Sequence, residues 1–217
     1  MTDFSQHRTT MVDTQVRPSD VTKFPIIEAM LSVPRENFVP ADRRAAAYAG
    51  EQLSLAPGRA ILDPRLMAKM LDAVDIQSEE MVLDVGPGLG YSSALVARMA
   101  EAVIAVEEIP ELASEAERAL SDISADNVAV VEGPLAEGAA KHGPYDVILL
   151  QGAVQNIPEA LIQQLKDGGR IAALFVDGAL GEMRLGYKTD GKVSWRFMFN
   201  GAAPVLPGFE KERAFAL

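Results

Sequence analysis

The chain has 217 residues, 48% of them apolar, enough to build one substantial core. Its formal net charge of −11 opposes broad nucleic-acid binding, which needs basic surface against phosphates. Cysteine is absent, which excludes disulfides, thiol nucleophiles and thiolate metal sites; His7 and His142, the two histidines, stand in no ligand-spaced motif, so both are expected at the surface and no metal site is expected.

No apolar run has the roughly 18 residues that a membrane span needs. The opening segment M-T-D-F-S-Q-H-R-T-T lacks the apolar centre of a signal peptide, and a cytoplasmic setting is expected. Residues 11–48 read as a helical region, with Val21, Phe24, Ile27, Met30 and Leu31 on one apolar face, ended by Pro34. Phe38, Val39 and Pro40 read as an anchored loop, and Arg43 to Tyr48 as a short helix. Asp63 before Pro64 suits an N-cap and first helical residue. Leu66, Met67, Met70, Leu71 and Val74 then form the apolar stripe of that helix. Asp63 is either a cap alone or also a contact to substrate.

From residue 81 onward strands and helices alternate. Val82, Leu83 and Val85 supply a buried strand, and Gly86, Gly88 and Gly90 a turn that lets backbone approach a ligand. Ser92 to Met99 reads as a helix whose first N–H groups face the ligand. Val103 to Val106 is the next strand, and Glu107 at its end can accept hydrogen bonds from a ribose diol. A helix opened by Pro110 follows, then strands at 127–131 and 146–150, a helix opened by Pro158, and a strand at 170–176. Such continuous apolar strands between helices predict a mostly parallel sheet covered on both faces. Met183, Leu185 and Tyr187, then Val193, Trp195, Phe197 and Phe199, alternate around Thr189-Asp190-Gly191-Lys192 and predict an antiparallel hairpin, with Trp195, Phe197 and Phe199 in the core. Residues 200–217 read as an irregular wrap.

The glycine spacing, G-x-G-x-G, departs from the G-x-G-x-x-G of dinucleotide-binding proteins. Asp84, just before the loop, suits a positively charged ligand such as a sulfonium or amino group. S-adenosyl-L-methionine carries both and a free ribose diol, and is the expected cofactor ahead of a nicotinamide or flavin; a tight turn that binds nothing is the remaining alternative. The fold expected is α/β, a class I S-adenosylmethionine-dependent methyltransferase: a Rossmann-like, mostly parallel seven-stranded sheet with a C-terminal antiparallel hairpin. The whole of 1–217 is read as one methyltransferase domain, with 1–80 a helical and loop region packed on a cofactor-binding core of 81–217.

A resemblance to one family is more specific than the fold. Val33-Pro34-Arg35-Glu36-Asn37-Phe38-Val39-Pro40, then Ala47-Tyr48, resembles the N-terminal signature of protein-L-isoaspartate O-methyltransferases. Val82 to Tyr91 is similar to that family's V-L-E-I-G-T-G-S-G-Y, Val106-Glu107-Glu108-Ile109-Pro110 to its V-E-R-I-P, and Gln163 to Arg170 to its E-Q-L-K-P-G-G-R. The resemblance runs from about residue 12 to residue 209. It implies methyl transfer from S-adenosylmethionine to the carboxylate of L-isoaspartyl residues, hence a peptide or protein substrate. It also implies that Asp84, Gly86, Gly88, Gly90 and Tyr91 flank the methionine part of the cofactor, that Glu107 holds the ribose, and that Glu132 and Gly133 sit near the adenine.

The chain departs from that family where substrate should bind. The family's T-I-S-Q-P is here Ala60-Ile61-Leu62-Asp63-Pro64, so Leu62 replaces a serine and Asp63 a glutamine. Leucine offers no hydroxyl, and an ionised Asp63 would repel a substrate carboxylate. The family's G-D-G is here Glu132-Gly133-Pro134. Three readings follow: an isoaspartyl methyltransferase with a diverged substrate loop, a methyltransferase for another small-molecule or protein group with Asp63 as a catalytic base or orienting residue, and a non-catalytic cofactor-binding regulatory protein.

Overall fold

The structure is a computed structural model and describes residues 3–178 and 180–211. The chain opens with helix α1 (Phe4–Met11), whose first turn is capped by the Asp3 carboxylate accepting from Ser5 and Gln6 N–H groups. Helix α2 (Phe24–Ser32) follows. It buries Ile26, Ile27, Ala29 and Met30, and Val33 just beyond it is buried too. Of the expected face, Val21, Ile27 and Met30 are buried, whereas Phe24 is 73% exposed and Leu31 36% exposed. Short 3₁₀ turns at Arg35–Asn37 and Ala41–Ala46 carry the chain onward, the second lying where a short helix was expected at 43–48.

A hairpin that the apolar pattern had not indicated comes next. Strands β1 (Leu53–Ala56) and β2 (Arg59–Ile61) pair antiparallel, Leu53 opposite Ile61 and Ser54 opposite Ala60. Pro57 and Gly58 turn the chain, with Gly58 in the left-handed region at φ 69°. Helix α3 (Pro64–Val74) then starts as expected, with Asp63 Oδ1 accepting from Leu66 N at 2.9 Å. All five residues of its predicted stripe are buried.

The core is one seven-stranded sheet. Strand β3 (Met81–Val85) leads into α4 (Tyr91–Val96); β4 (Ala102–Glu107) leads into α5 (Pro110–Asp122) and β5 (Val128–Glu132). After two 3₁₀ turns come β6 (Tyr145–Val154), α6 (Glu159–Gln164), β7 (Leu165–Asp177), β8 (Leu180–Thr189) and β9 (Lys192–Gly201). The spatial order is β5-β4-β3-β6-β7-β8-β9. The first five strands of this order run parallel; β8 and β9 are antiparallel. The expected α/β sheet with its terminal hairpin is present. The order reverses between β3 and β6, and a crevice at the carboxyl ends of strands beside such a reversal is where open α/β sheets bind ligands.

Each face of the sheet has its own apolar layer. Val82, Val147, Leu149, Ala172 and Met183 face the cluster that takes in α2, α3 and α4. Leu83, Val85, Ile148, Leu150 and Ile171 face a second cluster closed by Leu161, Leu206 and Phe209. Three expectations are corrected. Helix α4 ends at Val96 rather than Met99. Strand β6 continues past the expected end at residue 150, through Gln151-Gly152-Ala153, where Ala153 exchanges hydrogen bonds with the 204–206 segment at 2.8 and 2.9 Å. Phe197 is 58% exposed rather than core. A bulge pairs Met183 with Phe199 and Arg184 with Phe197, so Phe199 joins the first apolar layer while Phe197 stays on the Trp195 side, beyond its cover. The wrap expected at 200–217 is described as far as Lys211; its last part, 212–217, lies outside the described residues. Among the described residues no helix is long and apolar enough to cross a membrane.

Candidate cofactor cradle

The loop after β3 has the geometry its glycines predict. Gly86, Gly88 and Gly90 lie at φ 78°, 61° and 93°, a region in which other residues are strained. The loop is pinned by Gly86 N donating to Val106 O at 2.8 Å and Gly90 N to Pro87 O at 3.0 Å. It sits beside the tip of β4, where Glu107 is wholly buried. Glu107 Oε2 accepts from Gly88 N at 2.9 Å; Oε1 accepts from Glu108 N at 3.1 Å and Ile109 N at 3.2 Å. The strand-end acid and the glycine loop are thus brought together as expected.

Asp84 is also wholly buried, and its partners are internal: Ser92 Oγ at 2.6 Å, Ser93 Oγ at 2.7 Å and Gln151 Nε2 at 2.6 Å. Burial pushes its carboxyl above the usual range, while these three donors and the charge of Arg59 act in the other direction. Tyr91 lies under the Val33–Pro40 segment: the Arg35 guanidinium stacks 4.6 Å from its ring centroid and the Phe38 ring lies 6.0 Å away. Its hydroxyl is buried without a hydrogen-bond partner. Glu132 pairs in register with Glu107 on the next strand but is exposed, and Gly133 N donates to Glu107 O at 3.1 Å. A Cβ at Gly133 would meet nothing within 4 Å, so this side of the cradle borders open space.

The side nearer the substrate loop is closed by a residue the sequence reading did not single out. Arg59, on β2, is 1% exposed and forms an ion pair with Glu107 through Nη2. Its Nε and Nη1 are buried without partners, and a Cβ added at Gly86 would collide with this guanidinium. Leu55, on β1, covers Gly88 in the same way. The only sequence signal for this arrangement was the Pro57-Gly58 turn between Leu53-Ser54-Leu55 and Arg59-Ala60-Ile61.

Asp63 lines a different cavity from the one beside this loop. It caps α3 and lines a cleft of about 430 Å³ with Glu51, Arg65, Lys69 and Phe199. Ala60, Ile61 and Leu62 of the substrate loop reach the cradle: with Pro87, Tyr91, Ser92 and Gln151 they bound a space of about 10 Å³. That is room for about one water molecule. His7 and His142 are both exposed, away from these residues.

A glycine loop at the reversal point of this sheet, with an acid at the tip of the neighbouring strand, defines a class I methyltransferase fold. The family model for protein-L-isoaspartate(D-aspartate) O-methyltransferase (PCMT) matches residues 6–196, and the chain belongs to that family. Protein-L-isoaspartate O-methyltransferase of Koribacter versatilis is 39% identical over 171 residues, covering 79% of this chain and 77% of that one. The same-named protein of Syntrophus aciditrophicus is also 39% identical, covering 79% and 78%. A solved protein-L-isoaspartate O-methyltransferase superposes with a TM-score of 0.81 at 26% identity, over 93% of this chain and 66% of that one. A Plasmodium falciparum beta-aspartate methyltransferase (PCMT), in complex with S-adenosyl-L-homocysteine, shares the fold at a TM-score of 0.79 and 17% identity, covering 95% and 99%.

Set against S-adenosylmethionine, the backbone of the cradle fits and one side chain does not. The glycine loop, Glu107 and the open flank at Gly133 suit an adenosyl group. Arg59 engages the carboxylate that would take the ribose and covers Gly86. With Arg59 seated, its guanidinium holds the Glu107 carboxylate that a ribose would use.

Proposed function

We propose that this chain is an S-adenosylmethionine-dependent methyltransferase that esterifies the carboxylate of L-isoaspartyl residues in peptides and proteins, acting from a state in which Arg59 has left the groove. The observation that carries this reading is the pairing of the glycine loop with buried Glu107 in a chain of this family. S-adenosylmethionine, when bound, supplies an electrophilic methyl group. Glu107, released from Arg59, has an oxygen free to accept from a ribose hydroxyl, while Glu108 N and Ile109 N keep the carboxylate oriented. Glu132 and Gly133 border the open flank on which an adenine fits. Asp84 holds the start of α4 through Ser92 and Ser93, and so fixes the far end of the loop.

A carboxylate acceptor is ionised near neutral pH and needs no general base, so alignment and exclusion of water are the protein's task. Leu62, Ile61 and Met67 give that part of the site apolar walls. A second reading, a regulatory protein that keeps the fold without turnover, is favoured by Arg59 in the groove and by Leu62 where the family has a hydroxyl.

Labelled methyl transfer to an isoaspartyl peptide, with the matching aspartyl peptide as control, tests the proposal. Base-labile methyl ester on the isoaspartyl peptide alone is expected. Equal labelling of both peptides removes the substrate assignment. No labelling of either, with the cofactor bound, removes the isoaspartyl assignment and leaves the regulatory reading and a methyltransferase for another acceptor.

A further inference from the structure

Arg59 is a charged residue buried at the one place where this fold has use for an open groove. Three observations set it apart from a structural ion pair. Its partner, Glu107, is already satisfied by three backbone N–H groups, so the carboxylate does not need a guanidinium to be buried. Arg59 itself is poorly satisfied: Nε and Nη1 are buried without acceptors, an arrangement that is costly in a protein interior. And the hairpin that carries it covers two of the three loop glycines, Arg59 over Gly86 and Leu55 over Gly88.

We propose that the β1–β2 hairpin is an internal plug of the cofactor groove, with the Arg59 guanidinium occupying the carboxylate of Glu107 that a ribose diol would use, so that Arg59 sets the protein's affinity for adenosyl ligands. The proposal rests on the cofactor reading above. Ligand and guanidinium then compete for one acceptor. The apparent affinity is the intrinsic affinity of the open groove reduced by the fraction of molecules in which the hairpin has withdrawn. The two orphaned donors limit how firmly the plug is held, and withdrawal lets them reach water.

The test is calorimetric titration of S-adenosylhomocysteine into the intact chain and into Arg59→Met, which keeps an apolar stem and removes the donors. Binding at least tenfold tighter in Arg59→Met is expected. Leu55→Ala, which loosens the hairpin while leaving the ion pair, should tighten binding by a smaller factor. A gain in affinity cannot come from a misfolded variant, so either gain supports the plug. In the Arg59→Met background, Glu107→Gln should weaken binding again, as expected if the freed carboxylate takes the ribose. Equal affinity in all three proteins overturns the plug and leaves the cofactor reading standing. Weaker binding in Arg59→Met also overturns it, by making Arg59 a ligand contact. No binding by any of them overturns the cofactor reading together with the plug.

Discussion

At the scale of single residues, the buried pair Arg59–Glu107 makes a prediction about stability that is separate from ligand binding. Two buried charges hold each other, and removing one strands the other. Glu107→Gln leaves a guanidinium, already short of acceptors, with no counter-charge, and a loss of about 3–5 kcal/mol is expected. Arg59→Met leaves a carboxylate that still has three backbone donors, so its loss should be smaller. Adding Arg59→Met to Glu107→Gln should therefore restore part of the stability. Urea unfolding of the two single variants and the double measures this. A double variant no more stable than Glu107→Gln would show that the pair is not energetically coupled.

At the scale of elements, α3 shows how directly a local signal becomes structure. Asp63-Pro64 fixed its start, and the spacing of Leu66, Met67, Met70, Leu71 and Val74 fixed its buried face. Asp63 itself caps this helix and lines a cleft other than the small cavity beside the glycine loop. Asp63→Ala should then cost about 0.5–2 kcal/mol of stability. Asp63→Asn, a comparable cap, should cost little and leave methyl transfer within a few-fold of the parent. A hundredfold drop in turnover for Asp63→Asn, at unchanged melting temperature, would return Asp63 to a catalytic role. The glycine loop and Glu107 were legible for the same reason as α3: each depends on spacing within a strand, a turn or a strand end. The plug was not. Arg59 meets Glu107 across 48 positions of sequence, and only after the β1–β2 hairpin has formed does it face the loop. The exposure of Phe24 and of Phe197 was hidden likewise, because the first depends on which neighbours pack around a short helix and the second on a single bulge.

At the scale of the whole molecule, the tyrosines buried in the apolar layers make the fold's stability sensitive to alkaline solution. The second layer contains Tyr145, whose ring is buried and whose hydroxyl donates to Ala139 O at 2.7 Å. Burial pushes this phenol up to about 12, from an ordinary value of 10.0. The sign follows from proton counts. Between pH 10 and about 12 the unfolded chain has lost this proton and the folded chain keeps it, so stability from Tyr145 is complete below pH 10 and falls as pH rises through that window. Tyr48 and Tyr91 are displaced in the same direction by burial, so the parent should lose stability steeply there. Tyr145→Phe should lower stability at neutral pH by about 0.5–1.5 kcal/mol, the net worth of one hydrogen bond. It should also flatten, without abolishing, the fall between pH 10 and 12. Denaturant midpoints of parent and variant across that range separate the two effects, since the other titrating groups are common to both proteins and cancel in the difference. A gap between the proteins that stays constant from pH 7 to pH 12 would mean that Tyr145 ionises alike in the folded and unfolded chain. The packing of the second layer around a neutral phenol would then be wrong.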